Sequence, residues 1–123
     1  MTSPIDQLMA SQAVWNARAT ETQGKAAQAY ARLLEIANTD TGQAARVRRF
    51  LAASFNGERY RFDLFDLRAL DVEISDDVLL CMDALRWGRA DLYKLVPDGY
   101  EQIVSMLKDW GMDAAAEQPT QGK

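Results

Sequence analysis

NTDTGQAARVRRFLAASFNG, residues 38–57, is the stretch on which the reading of the whole chain turns. Val47, Phe50, Leu51 and Ser54 recur at steps of three and four, the spacing of one helical face, and no two-residue alternation competes with it. Asp40-Thr41-Gly42 precedes the pattern as a start signal and Asn56-Gly57 follows it as a stop. The spacing predicts a helix over about 42–55, capped by Asp40 or Thr41, with its apolar stripe turned to a core. Arg46 and Arg49 then lie together on one flank and Arg48 towards the other, so the arginines are split around the helix.

The same punctuation continues in both directions. Ser3-Pro4-Ile5-Asp6 has the order of a helix start, with a capping hydroxyl, proline at the first helical position and an acid in the first turn. Ile5, Leu8, Met9 and Trp15 follow along one face. Residues 17–25 are polar, and Gly24 reads as a break. A second helix over about 25–37 turns Tyr30, Leu33, Leu34 and Ala37 inward, and Asn38 ends it. Beyond Gly57, residues 58–62 (ERYRF) alternate like a short extended piece. Asp63 or Asp66 caps a short helix ending near Leu70. Ser75-Asp76-Asp77 opens another, with Val78, Cys81, Met82 and Leu85 inward and Gly88 as its stop. Asp91–Leu95 forms a helical turn before Pro97. Asp98-Gly99-Tyr100-Glu101 fits a capping box, followed by Ile103, Val104, Leu107 and Trp110 and closed by Gly111. The expected fold is all-α: a single compact bundle of five or six helices with an N-terminal helical arm and a disordered C-terminal tail. The expected divisions are residues 1–24 (amphipathic arm and linker), 25–111 (helical domain) and 112–123 (tail).

Bulk composition narrows the chemistry. The chain has 123 residues, 48% hydrophobic and 26% charged, which suits one soluble domain with a core of its own. Residues 1–55 carry six Lys/Arg against four Asp/Glu, and residues 56–123 carry eight against fourteen, so +2 and −6 give the net −4. The longest apolar run, Val78 to Met82, is far too short for a bilayer span. The N-terminus lacks the basic start and apolar stretch of a signal peptide, and the one cysteine has no internal disulfide partner, so a cytoplasmic location is expected and no membrane contact. With no histidine in the chain, Ser-His-Asp and Cys-His nucleophiles and a histidine pH switch are excluded.

Each remaining candidate has a plain structural job. Asp71-x-Glu73-x-Ser75 opens like a calcium loop, but the sixth and twelfth positions are Asp76 and Met82 where Gly and Glu are required. Asp63, Asp66, Asp76 and Asp77 could hold Mg²⁺ for a carboxylate-based hydrolase. All four also sit where helices begin, and capping and the helix dipole explain them there. Residues 33–51 have the outline of a helix-turn-helix, but the glycine follows the turn and the chain is acidic, whereas DNA-binding domains show a basic footprint. Cys81 sits on an apolar face with no activating neighbour. Trp87, Trp110 and Tyr100 read as core or core-edge anchors. The arm is the anomaly: an isolated helix of that length is marginal in water, so it packs on its own domain, on a partner or on a second copy.

Asp40-Thr41-Gly42-Gln43, Phe50-Leu51, Asn56, Phe62-Asp63-Leu64, Gly99-Tyr100 and Trp110 together form a pattern. It resembles a family of small proteins of unassigned activity carried by proteobacterial plasmids, integrative elements and phages. The likeness spans roughly residues 30–111 and implies a setting, an accessory gene on mobile DNA whose products often bind host or rival machinery. It carries over no catalytic residue.

The expectation is therefore a non-enzymatic helical module, with no catalytic, metal or cofactor site, that binds a protein or nucleoprotein complex. Ile5, Leu8, Met9, Trp15, Arg46 and Arg49 are its contact residues. In its sharpest form it is a mobile-element-encoded regulator or inhibitor of host defence machinery, and homodimer formation is compatible with it. The alternative is a DNA-binding protein using the Arg46–Arg49 helix.

Overall fold

In the first turn of the chain Ser3 accepts a hydrogen bond on Oγ from the Asp6 amide (3.1 Å) and Pro4 takes the first helical position, as its ring allows. The helix begun there, α1 (Pro4–Ala37), runs 34 residues without interruption. The computed structural model describes residues 3–112, and among these the fold is all-α. After α1 come α2 (Ala44–Phe55), a single turn α3 (Asp66–Ala69), α4 (Val72–Trp87), a 3-10 turn (Leu92–Leu95) and α5 (Gly99–Asp109). The expected tail falls outside the described residues apart from Met112.

The break at Gly24 is a correction. Ala19, Ala26, Ala29 and Leu33 are buried at helical spacing on both sides of it, and they form a seam against α4. Glycine costs a helix about 1 kcal/mol relative to alanine, and continuous packing on either side outweighs that. The small residues let α4 come close. The two helices are antiparallel: Thr22 Oγ1 meets Asp83 (3.4 Å), the Cys81 thiol points at the Ala26 carbonyl (3.9 Å), and Arg32 grips Asp77 (2.9 and 2.8 Å).

Asp77 was expected at a helix start. It lies instead in the second turn of α4, which begins at Val72, and it is only 8% exposed under the forked Arg32 guanidinium. The carboxylate holds Arg32 charged more firmly than usual, first through these hydrogen bonds and then by charge. Nor do Asp40 and Thr41 cap α2. They lie in the turn before it, and Gln43 stands at the N-cap position with no side-chain cap bond. Gln43 reaches across to the start of α4, accepting from the Asp71 amide (2.6 Å) and donating to the Asp71 carboxylate (2.8 Å). The capping box at Asp98 is also absent: Asp98 takes a left-handed conformation (φ 54°) and makes no side-chain cap. The chain folds so tightly there that a Cβ on Gly99 would run into the Tyr93 carbonyl. Residues 58–62 form no strand.

The core lies where α1, α2, α4 and α5 meet. Tyr30, Leu33, Leu34, Val47, Phe50, Leu51, Val78, Cys81, Ile103 and Leu107 are all buried there, as expected. Leu85 departs from expectation and faces outward, its inward place taken by Ala84. Phe55, Tyr93 and Tyr100 cluster at one rim with centroids 5.7–6.0 Å apart, Tyr93 edge to face with each of the other two, joining α2, the 3-10 turn and α5. Asn56 ends α2, and Gly88 ends α4 in the left-handed conformation (φ 65°) that glycine adopts most readily. That stop is what leaves part of α1 uncovered.

Candidate interaction surface

The seam of α1 repeats at alternating steps of three and four: Ile5, Leu8, Gln12, Trp15, Ala19, Thr22, Ala26, Ala29, Leu33. From Ala19 onward it is covered by α4. Before that α4 has ended, and the first four turns of α1 project past the bundle. Ile5 is 69%, Leu8 58%, Met9 62% and Trp15 55% exposed, all on the side of the helix that further along forms the core face. Gln12, the polar member of this uncovered stretch of seam, is exposed with them. Val14 is also exposed but lies on the opposite side and belongs to no stripe.

At the base of this overhang arginines gather around Trp87. Arg18 lies 5.7 Å and Arg86 5.0 Å from its ring centre. Arg89 donates to the Thr20 hydroxyl (2.9 Å) and the Asn16 carbonyl (3.4 Å). Asp83 pairs with Arg86 (2.6 Å), whose guanidinium holds the carboxyl below its ordinary value. This clamp secures α1 where it leaves the bundle. Its members are spread over residues 16–20 and 83–89; sequence reading placed Trp87 at the core edge but missed the arginines around it, because nothing local joins the two stretches. The three-four repeat running from Leu8 through Trp15 into Ala19 was visible and would have shown that arm and core share one helix. Gln12 interrupts its apolar character, though not its spacing.

The other expected contact residues sit elsewhere. Arg46 and Arg49 both face Asp66, Arg49 through Nε (3.1 Å) and Nη2 (3.3 Å) and Arg46 at 3.5 Å. They tie α2 to α3 and are not brought together with Ile5, Leu8, Met9 and Trp15. Arg48 donates to the Ala37 (2.9 Å) and Thr39 (3.0 Å) carbonyls, and its guanidinium lies 3.8 Å over Trp110. A cation on the last carbonyls of α1 meets the negative end of the helix dipole, and the indole face holds it there.

Chemistry-bearing groups are otherwise engaged or scattered. Asp63 accepts from the Phe65 amide (2.9 Å), a local turn. Among the described residues no three His, Cys, Asp or Glu side chains gather as a metal site. Cys81 is fully buried, and loss of water pushes its thiol up to about 12. A shallow 460 Å³ cleft between the end of α1 and α5 is lined by Asn38, Glu101, Gln102, Ser105 and Asp109. Among the described residues no helix is long and apolar enough to cross a membrane. Leu64, Phe65 and Val72 make a second exposed apolar group around α3 and the start of α4.

These features define a class: a small all-α domain whose first helix outruns its own core. The chain belongs to a family of unknown function (DUF7673), whose model matches residues 27–111. The match begins inside α1, so the overhang lies outside it. Among curated proteins and solved structures, nothing matches the chain.

Proposed function

We propose that the protein is a non-enzymatic interaction module that engages a protein or nucleoprotein complex through the overhanging half of α1. One observation carries this reading: Ile5, Leu8, Met9 and Trp15 stay in water on a helix whose same face is core a few turns later. Apolar side chains held in a rigid row are the form an amphipathic helix presents to a partner, and Trp and Met are favoured in interface centres. The resemblance to proteins carried on mobile DNA supports a finer version, in which the complex is host machinery, defence systems included, and the protein regulates or inhibits it. Direct DNA binding through the Arg46–Arg49 helix would require the ion pairs to Asp66 to open.

The test is capture from bacterial lysate with tagged wild type and with Trp15→Asp, each with and without nuclease. The expected result is a protein retained after nuclease by wild type and lost by Trp15→Asp, whose helical circular dichroism stays intact. Recovery that depends on nucleic acid, or equal retention by the variant, overturns the reading.

A further inference from the structure

The overhang has a geometry that selects its occupant. Along α1 the seam is covered by an antiparallel helix, α4, until Gly88 turns the chain away. About twelve residues of seam then remain, roughly 18 Å at 1.5 Å per residue.

We infer that the overhang is a self-recognition element: two copies pair their α1 overhangs antiparallel, each continuing the path that α4 follows on the other. This deepens the proposed interaction function and rests on it. Antiparallel pairing about a two-fold axis near residue 10 makes four layers. The outer two set Ile5 of one copy against Trp15 of the other, and the inner two set Leu8 against Gln12. This register uses the whole uncovered seam and asks for none of the residues already under α4, and its layers alternate as knobs entering holes require. Met9 flanks the seam next to the axis and meets its own counterpart. Such a contact is isologous and closes at two copies.

Gln12 acts on register. A single polar residue in an otherwise apolar seam selects one alignment and costs stability. Here the two Gln12 lie on either side of the axis, four positions apart along the pair, where long side chains can turn their amides towards each other or the rim. Sliding the helices by one heptad towards the bundles would press Gln12 on Trp15 and demand the covered Ala19 and Thr22, and sliding them the other way would leave only Ile5 against Leu8.

Charge agrees with the arrangement. Between Ser3 and Arg18 the only charged side chains are Asp6 and Arg18, so two seams meet without like-charge repulsion. The four apolar side chains leave on the order of 500 Å² exposed per copy, so pairing buries about 1,000 Å², the lower edge of specific interfaces. An interface at that edge makes a weak, reversible dimer.

Sedimentation equilibrium of the full chain from about 1 µM to about 200 µM reads this directly. The mass should rise with concentration from 13.8 kDa towards twice that. Leu8→Asp and Trp15→Asp should each weaken association on the order of 100-fold, because one interface contains each residue twice. Gln12→Leu should tighten it roughly tenfold, since two amides no longer have to leave water. A single 13.8 kDa species throughout overturns the inference, and so does a dimer that survives both aspartate substitutions. Weaker association in Gln12→Leu overturns the register. Orientation is read by mixing Leu8→Cys with Gln12→Cys under mild oxidation, with native Cys81 silent in the core. Cross-links between the two variants support antiparallel pairing, and Leu8→Cys linked only to itself overturns it. If the chain stays monomeric yet captures another protein in a Trp15-dependent way, self-recognition fails while the interaction function stands. If capture is also lost, both fail.

Discussion

The two halves of α1 are written at the same spacing and live in different surroundings. From Ala19 to Ala37 the seam is dry, pressed on α4 and backed by α2 and α5. From Ile5 to Trp15 the same face meets water. The difference does not arise in α1. It arises at Gly88, where a left-handed residue ends the covering helix about four turns too early for the helix it covers. A helix face is therefore core or contact surface according to what another part of the chain does. The clamp of Arg18, Arg86, Arg89 and Trp87 marks the boundary between the two conditions.

The largest test of that contrast compares leucines. Leu33→Ala removes a fully buried side chain and should cost about 3 kcal/mol in urea unfolding. Leu8→Ala, measured at concentrations where the chain is monomeric, should change stability by less than about 0.5 kcal/mol. A comparable loss at both positions would mean that the overhang is covered within its own chain, and the contrast would collapse.

Dryness of the covered half can be sharpened through Cys81, which faces Ala26 across the seam. Its thiol is pushed from an ordinary 9.0 to about 12, chiefly by burial and secondarily by Asp77. Above pH 9 the unfolded chain gives up this proton while the folded chain keeps it. The unfolded state then binds fewer protons, so stability falls as pH rises from 9 towards 12. At pH 10 the loss from Cys81 should be on the order of 1 kcal/mol. Tyr30, raised by the same burial, adds to the fall at higher pH. Urea midpoints at neutral pH and pH 10 measure it, and Cys81→Ala should flatten the slope. An unchanged slope in that variant would show the thiol to be wet.

Much of the architecture could be read from the chain because it is written locally. The α2 stripe, the stops at Asn56, Gly88 and Gly111, and the inward faces around Tyr30 and Ile103 all follow from spacing and punctuation. What could not be read depends on partners far away in sequence. Asp77 looked like a helix-start acid until Arg32, 45 positions distant, was seen to hold it. Asp40 and Thr41 looked like caps, but α2 starts later and Gln43 is committed to Asp71. Of the expected contact residues, the four on the arm share one exposed face, whereas Arg46 and Arg49 are joined by Asp66 into a separate structural contact. Charge on a helix flank shows that water or an acid is near. It does not show which.

Gly24 is the smallest and most direct probe, because it was read as the border between the halves. In the folded chain it is helical, and a Cβ built on it meets nothing within 4 Å. Gly24→Ala therefore adds no clash and removes a backbone entropy cost, so it should stabilise the chain by about 0.5–1 kcal/mol. The helical signal should stay unchanged, since no break exists to be repaired. A marked gain in helix content on this substitution would mean that α1 opens at residue 24 in solution, and that its two halves are separate elements. A higher urea midpoint at constant helix content would show one rod spanning both environments, and a rod can hold an exposed row of side chains at a fixed angle to the bundle that carries it.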